Sequence, residues 1–90
     1  MQNLPRIEVP LVSSPDGLVW VANTSVLLDQ IVADFEGGAV AEEIVSRHDQ
    51  LRLSDVFLVL SFYLKHRKDV EDYLAARRER NINKRPPSAA

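Results

Sequence analysis

"GGAVAEEIVSRHDQLRLSDVFLVL", residues 37–60, decides the architecture of this chain. The glycine pair Gly37-Gly38 leads into Ala41, Ile44, Val45 and His48, which fall at i, i+3, i+4 and i+7, the stripe of an amphipathic helix. A short polar break follows, and a greasier helix starts near Leu53. Helix, tight break, helix is the outline of a helix-turn-helix. What must be decided is whether this one reads DNA.

Upstream, Leu28, Ile31, Val32 and Phe35 repeat the helical spacing, and Gly37-Gly38 closes that helix, since glycine takes the left-handed terminal conformation at no steric cost. Before it, "IEVPLVSSPDGLVWVANTSV" is the only β-like segment. Ser14-Pro15-Asp16-Gly17 has the residues of a type I turn. Ile7, Val9 and Leu11 alternate on one side, and Leu18, Trp20 and Ala22 alternate on the other. Pro10 restricts the first run to an edge strand. Two strands are marginal alone, so the hairpin must lean on other elements, with Trp20 expected against the helices. Downstream, Asp69 is a candidate cap for a fourth helix with Val70, Tyr73 and Leu74 on its apolar side. "NINKRPPSAA", residues 81–90, reads as a loose tail. The expected organisation is an N-terminal segment over 1–6, a hairpin plus helix-turn-helix domain over 7–80, and the tail over 81–90. The fold class expected is mainly α, three to four helices of homeodomain-like helix-turn-helix type with a short N-terminal β-hairpin.

Ninety residues allow one small domain, and 46% hydrophobic with 27% charged residues is an ordinary globular balance. There is no cysteine, so disulfide and thiolate chemistry are excluded and a reducing compartment is the natural setting. The longest apolar run, "VFLVLSFYL", is far too short for a membrane span, and "MQNLPRIEVP" lacks the pattern of an export signal. A cytoplasmic protein is expected. The net charge of −2 conceals an asymmetry. Residues 1–64 hold three basic against nine acidic side chains, whereas residues 65–90 hold eight basic against four acidic. A basic tail on an acidic body fits interaction through the tail; a solvated C-terminal helix fits it equally well.

No catalytic set emerges. His48 and His66 lie on different helices without metal-ligand spacing, and His48 on an apolar stripe is expected to be a half-buried structural residue. Glu42-Glu43 suit the positive end of a helix dipole. Gly37-Gly38 lacks the strand, spacing and lysine of a phosphate loop. The expectation is a protein that is not an enzyme, with no cofactor, metal or small-molecule substrate.

A DNA-reading helix-turn-helix inserts the start of its second motif helix into the major groove. The candidates there are Arg47, Arg52 and Ser54, close to Asp49 and Asp55, so little net field remains to hold a phosphate backbone. At about 100° per residue, Leu53, Val56, Phe57, Leu60 and Leu64 define an inward face, leaving Leu58, Val59 and Phe62 outward. Large apolar residues on an outward face mark a protein interface, which predicts a homodimer or a protein partner contacted through Leu58, Val59 and Phe62. Beyond it, Val70, Tyr73 and Leu74 with Arg77, Arg78, Arg80, Lys84 and Arg85 form a candidate partner-binding segment, apolar on one side and basic at its end.

The order of these signals resembles one family, domain of unknown function 433, the antitoxin-like helix-turn-helix proteins. "AEEI", "LRLSDV", "FYLKHR" and "VEDYL" fall in the family's order, and the likeness runs from about residue 7 to residue 78. The resemblance implies a homeodomain-like fold, often dimeric, and in some relatives an antitoxin role beside a PIN-type nuclease toxin. Departures are visible. Thr24-Ser25-Val26 stands where Thr-Arg-Val is common, Val40 where Ser or Thr opens the second helix, and Asp49 and Arg52 where Pro and Thr precede the third. A lost cap costs about 0.5–2 kcal/mol, so packing must supply more. Two functions stay open: an antitoxin-like regulator that binds a partner protein and weakly binds its own promoter, or a protein-binding adaptor without DNA binding.

Overall fold

The computed structural model describes residues 8–83, with side chains to residue 80. Two short strands, β1 (Leu11–Ser13) and β2 (Val19–Val21), precede four helices, α1 (Leu28–Glu36), α2 (Ala41–Arg47), α3 (Leu53–Lys65) and α4 (Arg67–Asn83). The chain is thus mainly helical with an N-terminal antiparallel hairpin, as its periodicities predict.

The hairpin pairs Leu11 with Val21, Val12 with Trp20 and Ser13 with Val19. Its turn is Pro15-Asp16-Gly17. Gly17 N–H donates to the Ser14 carbonyl at 2.9 Å, and Ser14 N–H donates to the Leu18 carbonyl at 2.8 Å. This is a type I turn followed by a left-handed residue, Gly17 with φ +88°, a position that an L side chain would strain. The Ser14 hydroxyl also bonds to the Asp16 carboxylate, which holds that carboxyl below its ordinary range. Strand phase differs from the sequence expectation. Val21 is fully buried and Val19 packs on the core, whereas Trp20 lies half-buried on the other face, its indole N–H donating to Ser14 Oγ at 3.1 Å. Both phases of "LVWVA" are apolar, so alternation alone does not choose between them. Trp20 braces the hairpin and is no helix-facing anchor.

A second tight turn carries the chain from β2 into α1. Asn23 takes φ 65°, the Thr24 hydroxyl donates to the Val21 carbonyl at 2.9 Å, and that same hydroxyl accepts from Val26 N–H at 3.0 Å. Such short side-chain bonds replace ladder bonds that the reversing backbone cannot make. They return Val26 to the core beside Val21.

Leu27 and Val40 stand at the capping positions just before α1 and α2, and neither has a side-chain acceptor. The residue three positions on reaches back instead: Gln30 Oε1 accepts from Leu27 N–H and Glu43 Oε1 from Val40 N–H, each at 2.9 Å. Half of the reciprocal capping arrangement survives without the capping hydroxyl. α1 ends on the glycine pair: Ala39 N–H donates to the Asp34 carbonyl and Gly38 N–H to the Phe35 carbonyl, each at 3.0 Å, with Gly38 at φ +100°. This double bond around a left-handed residue satisfies carbonyls a helix end leaves open.

Leu28, Ile31, Val32, Ala41 and Ile44 are buried as the spacing predicts. α3 is rotated from its expected phase. Its buried residues are Val56, Val59, Leu60 and Tyr63, whereas Leu53, Phe57 and Leu64 are exposed. The inward face is turned by roughly 60° at about 100° per residue. Apolar residues fill nearly every position from 56 to 64, so both stripes satisfy the helical period. Tyr63 helps fix the observed one, because its hydroxyl finds Glu36 of α1 at 2.6 Å.

α3 and α4 meet at His66 alone: His66 N–H donates to the Phe62 carbonyl at 2.9 Å and Val70 N–H to the His66 carbonyl at 3.0 Å. Asp69 is therefore in the first turn of α4 and does not cap it. The helix also continues through Asn83, three residues into the stretch expected to be loose.

Candidate nucleic-acid and protein-binding surfaces

The start of α3 is where a helix-turn-helix would meet DNA. Arg52 is its first flanking residue and is exposed, as is Ser54, while Asp55 sits half-buried in the first turn. Arg47, at the end of α2, does not point its charge to solvent alone: it pairs with Asp34 Oδ1 of α1 at 3.2 Å, while His48 Nε2 meets Asp34 Oδ2 at 3.0 Å. His48 thus occupies the half-buried structural position expected of it. Gln50 clamps the helix-turn-helix break to the turn after β2, its Oε1 accepting from Ser25 N–H and its Nε2 donating to Ser25 Oγ, both at 2.9 Å. A shallow pocket of about 280 Å³ beside this clamp is lined in part by Thr24, Gln50, Arg52 and Asp55. The structure does bring Arg52 and Ser54 to one end of α3. It also places Asp55 among them and draws Arg47 onto α1, so the local positive charge is slight.

A second surface is apolar. The end of α1, the start of α2 and the outer face of α3 enclose a groove of about 850 Å³, lined by Phe35, Ala39, Val40, Ala41, Phe57, Leu60 and Leu64, with Ser61 and Lys65 at its edge. Val40, Phe57 and Leu64 are 57%, 53% and 51% exposed, and Leu53 continues the stripe along α3. Small side chains at Ala39 and Ala41 make its floor, and the larger ones form walls. The proposed interface residues fall elsewhere. Val59 is 0% exposed and belongs to the core, Phe62 packs against that core and stacks on His66 with ring centroids 4.8 Å apart, and Leu58 is half-buried. Rotation of α3 moves the open apolar face from Leu58, Val59 and Phe62 to Leu53, Phe57 and Leu64. One signal in the sequence pointed there: Leu53, Phe57, Leu60 and Leu64 keep a spacing of four, three and four residues, the heptad seam of paired helices.

The third candidate surface, α4, is largely engaged within the chain. Val70 is buried, and Tyr73 and Leu74 pack against the core. The Tyr73 hydroxyl accepts from Val19 N–H at 2.9 Å and faces Asp29 Oδ1 at 3.4 Å, and burial raises its pKa. Arg77 Nε donates to Asp29 Oδ2 at 2.9 Å, a pair in which both side chains are about four-fifths buried (17% and 24% exposed). Val70, Tyr73, Leu74 and Arg77 thus form the i, i+3, i+4, i+7 strip that docks α4 on α1 and the hairpin. Nearer its start, Arg67 lies over the Tyr63 ring at 5.1 Å and pairs with Glu36 at 2.9 Å and Glu71 at 3.2 Å. The Tyr63 hydroxyl is pushed up to about 12, first by its bond to Glu36 and then by burial. Of the basic residues singled out on this segment, Arg78 and Arg80 are exposed, with the Arg80 guanidinium close to Gly17, and Lys84 and Arg85 lie outside the described residues.

Among the described residues no group of three or more metal-ligating side chains comes together, and no helix is long and apolar enough to cross a membrane. No family model, no curated protein and no solved structure matches the chain.

Proposed function

We propose that this chain is a non-enzymatic, antitoxin-like helix-turn-helix protein whose task is to bind protein, with weak contact to its own promoter as a secondary property. One observation carries the reading. Among the described residues, the helix-turn-helix carries an apolar groove walled by half-exposed Val40, Phe57 and Leu64, while the end that would meet DNA is close to neutral. Exposed apolar surface of this kind is costly in water unless a partner covers it. The motif likeness to the antitoxin-like family names the class of partner, a PIN-type nuclease. Arg78 and Arg80 on the outer part of α4, continued in sequence by Lys84 and Arg85, supply positive charge suited to the acidic metal site of such a nuclease. The pairing of Arg47 with Asp34 favours the second reading, an adaptor that has given up DNA altogether.

Two measurements separate these outcomes. A PIN-type nuclease gene is expected beside this one, and a neighbourhood without such a gene counts against the antitoxin role. The product of such a gene, co-expressed with the chain, is expected to co-purify with it and to lose nuclease activity. Arg78→Glu with Arg80→Glu is expected to restore that activity. A neighbouring nuclease that stays fully active with the chain in excess refutes the antitoxin role. Against a promoter duplex, fluorescence anisotropy from about 50 to 200 mM salt is expected to give a log–log slope near −2, the signature of about two phosphate contacts at −0.9 each. Nanomolar, sequence-selective binding at about 150 mM salt refutes the protein-first reading.

A further inference from the structure

We infer that the groove takes an amphipathic helix of the partner protein, laid antiparallel to α3, with an acidic residue of its first turn against Lys65. This rests on the protein-binding role proposed above and names the form and the charge of what enters the groove.

The backbone along the groove has its partners already. Val40 N–H is met by Glu43 Oε1, and the N–H groups of Gly38 and Ala39 are taken by the Phe35 and Asp34 carbonyls. α3, the opposite wall, satisfies its backbone within the helix. An extended peptide would bring N–H and C=O groups that find no partner on these walls. A helix satisfies its own backbone and presents side chains alone.

The dimensions suit a helix as well. Leu53, Phe57, Leu60 and Leu64 are spaced four, three and four residues apart, the seam that faces another helix. From Phe57 to Lys65 the wall runs ~12 Å at about 1.5 Å per residue, enough to cover side chains at i, i+4 and i+7 of an opposing helix. A Cβ added at Gly38 would meet nothing within 4 Å, and Ala39, Ala41 and Ser61 are small, so the incoming backbone can come close. A thin acyl chain fits less well. Val40, Phe57 and Leu64 are each more than half exposed, and most of that surface would stay in water around it.

Charge sets the direction. Among the described residues Arg47, Arg67, Lys68 and Arg77 each pair with a carboxylate, whereas Lys65 pairs with none. Lys65 is the one charged side chain that lines the groove, and it closes the C-terminal end of the α3 wall. A docked apolar helix strips part of the water from that ammonium group, which then favours a carboxylate opposite it. Helices carry acidic residues most favourably in their first turn, at the positive end of the dipole. With that turn at Lys65, the occupant runs antiparallel to α3 and the two dipoles oppose.

The probe is a fluorescein-labelled peptide of ~14 residues, about four turns, stapled as a helix. It carries two glutamates in its first turn, leucine at i, i+4 and i+7, and alanine or glutamine elsewhere. Fluorescence anisotropy against the full chain is expected to show one-to-one binding with a Kd between about 1 μM and 1 mM. With lysines in place of the two glutamates, binding is expected to weaken about 5–20-fold, and Lys65→Glu in the chain is expected to invert that preference. Phe57→Gln, or Val40→Gln on the other wall should the first variant unfold, is expected to weaken binding about 10-fold or more. Decanoate at ~1 mM, an acyl chain with one carboxylate, is expected not to displace the peptide. No binding at ~1 mM peptide overturns the inference. So does a charge preference indifferent to Lys65→Glu, binding indifferent to Phe57 and Val40, or displacement by decanoate. A chain that inhibits the nuclease but ignores the peptides overturns only this inference and leaves the proposed function standing; charge-selective peptide binding by a chain that leaves the nuclease active does the reverse.

Discussion

Replacing one methyl group of Val59 by a hydroxyl, Val59→Thr, tests the phase of α3 with almost no change of shape. Val59 is 0% exposed and lies among Val56, Leu60 and Tyr63 on the inward face. The new hydroxyl would enter an apolar site, where a poorly paired polar group costs about 1–3 kcal/mol. Back-bonding to the carbonyl of Asp55, four residues earlier, softens the loss and holds it in that range. A domain of this size has about 5–13 kcal/mol in total at ~0.05–0.15 kcal/mol per residue. With a urea slope of about 1 kcal/mol/M, the midpoint is expected to fall by roughly 1–3 M. The companion is Phe57→Gln, a larger chemical change at a half-exposed site, expected to shift stability by less than about 1 kcal/mol. Both are read by urea titration of far-ultraviolet circular dichroism at two chain concentrations about tenfold apart, so that any association shows as a concentration-dependent midpoint. A larger fall for Phe57→Gln than for Val59→Thr would refute the observed phase and restore the one that the helical wheel favours.

Truncation after Lys68 removes Val70, Tyr73, Leu74 and Arg77, the strip that docks α4, and uncovers the side of Tyr63 that faces Glu71. Full burial of Val70 alone is worth about 1.5–3 kcal/mol, so the shortened chain is expected to lose its cooperative thermal transition; a sharp melt within about 5 °C of the full chain's would show α4 to be dispensable. Alkaline pH gives a further test. Tyr63 is held protonated in the fold, its pKa raised from 10.0 to about 12 by the Glu36 bond and burial, so its contribution is complete below pH 10 and fades as pH rises to 12. Urea midpoints are expected to fall across that window, less steeply in Tyr63→Phe, and an identical slope in the variant would assign the fall to other groups.

Where polar and apolar residues separate cleanly, the fold is legible in the sequence. α1 and α2 show their buried faces because charged residues occupy the opposite sides, and the glycine pair and Ser-Pro-Asp-Gly announce turns whose backbone geometry few other residues can adopt. Legibility fails where both candidate faces are apolar. "LVWVA" buries Val19 and Val21 and not Trp20, and α3 buries Val59 and Tyr63 and not Phe57 and Leu64. In each case a polar contact from a distant element helps to decide the phase. Tyr73 of α4 reaches Val19 N–H across 54 residues, and Tyr63 reaches Glu36 across 27. Periodicity is a local quantity and carries no information about such partners. The same holds for α4, whose basic outer residues drew attention in the sequence while Asp29, the carboxylate that engages Arg77, lies 48 positions away.

Ser25, Val40 and Arg52 lie on the two candidate surfaces, and each sets the local chemistry there. The backbone and hydroxyl of Ser25 close on Gln50 beside the start of α3. That clamp rigidifies the break without adding positive charge where a phosphate would sit. Val40 has no capping hydroxyl, yet its N–H is met by Glu43, and its side chain is a wall of the groove. Arg52 works the other way and adds one exposed cation at the head of α3, with Asp55 lining the same pocket. A single arginine shared with a carboxylate supplies about one of the two phosphate contacts expected of the chain, whereas the groove offers a continuous apolar face. Ser25 therefore brings no charge to the head of α3, and Val40 brings apolar area to the groove. That balance of charge and apolar surface is the one the proposed protein-binding role requires.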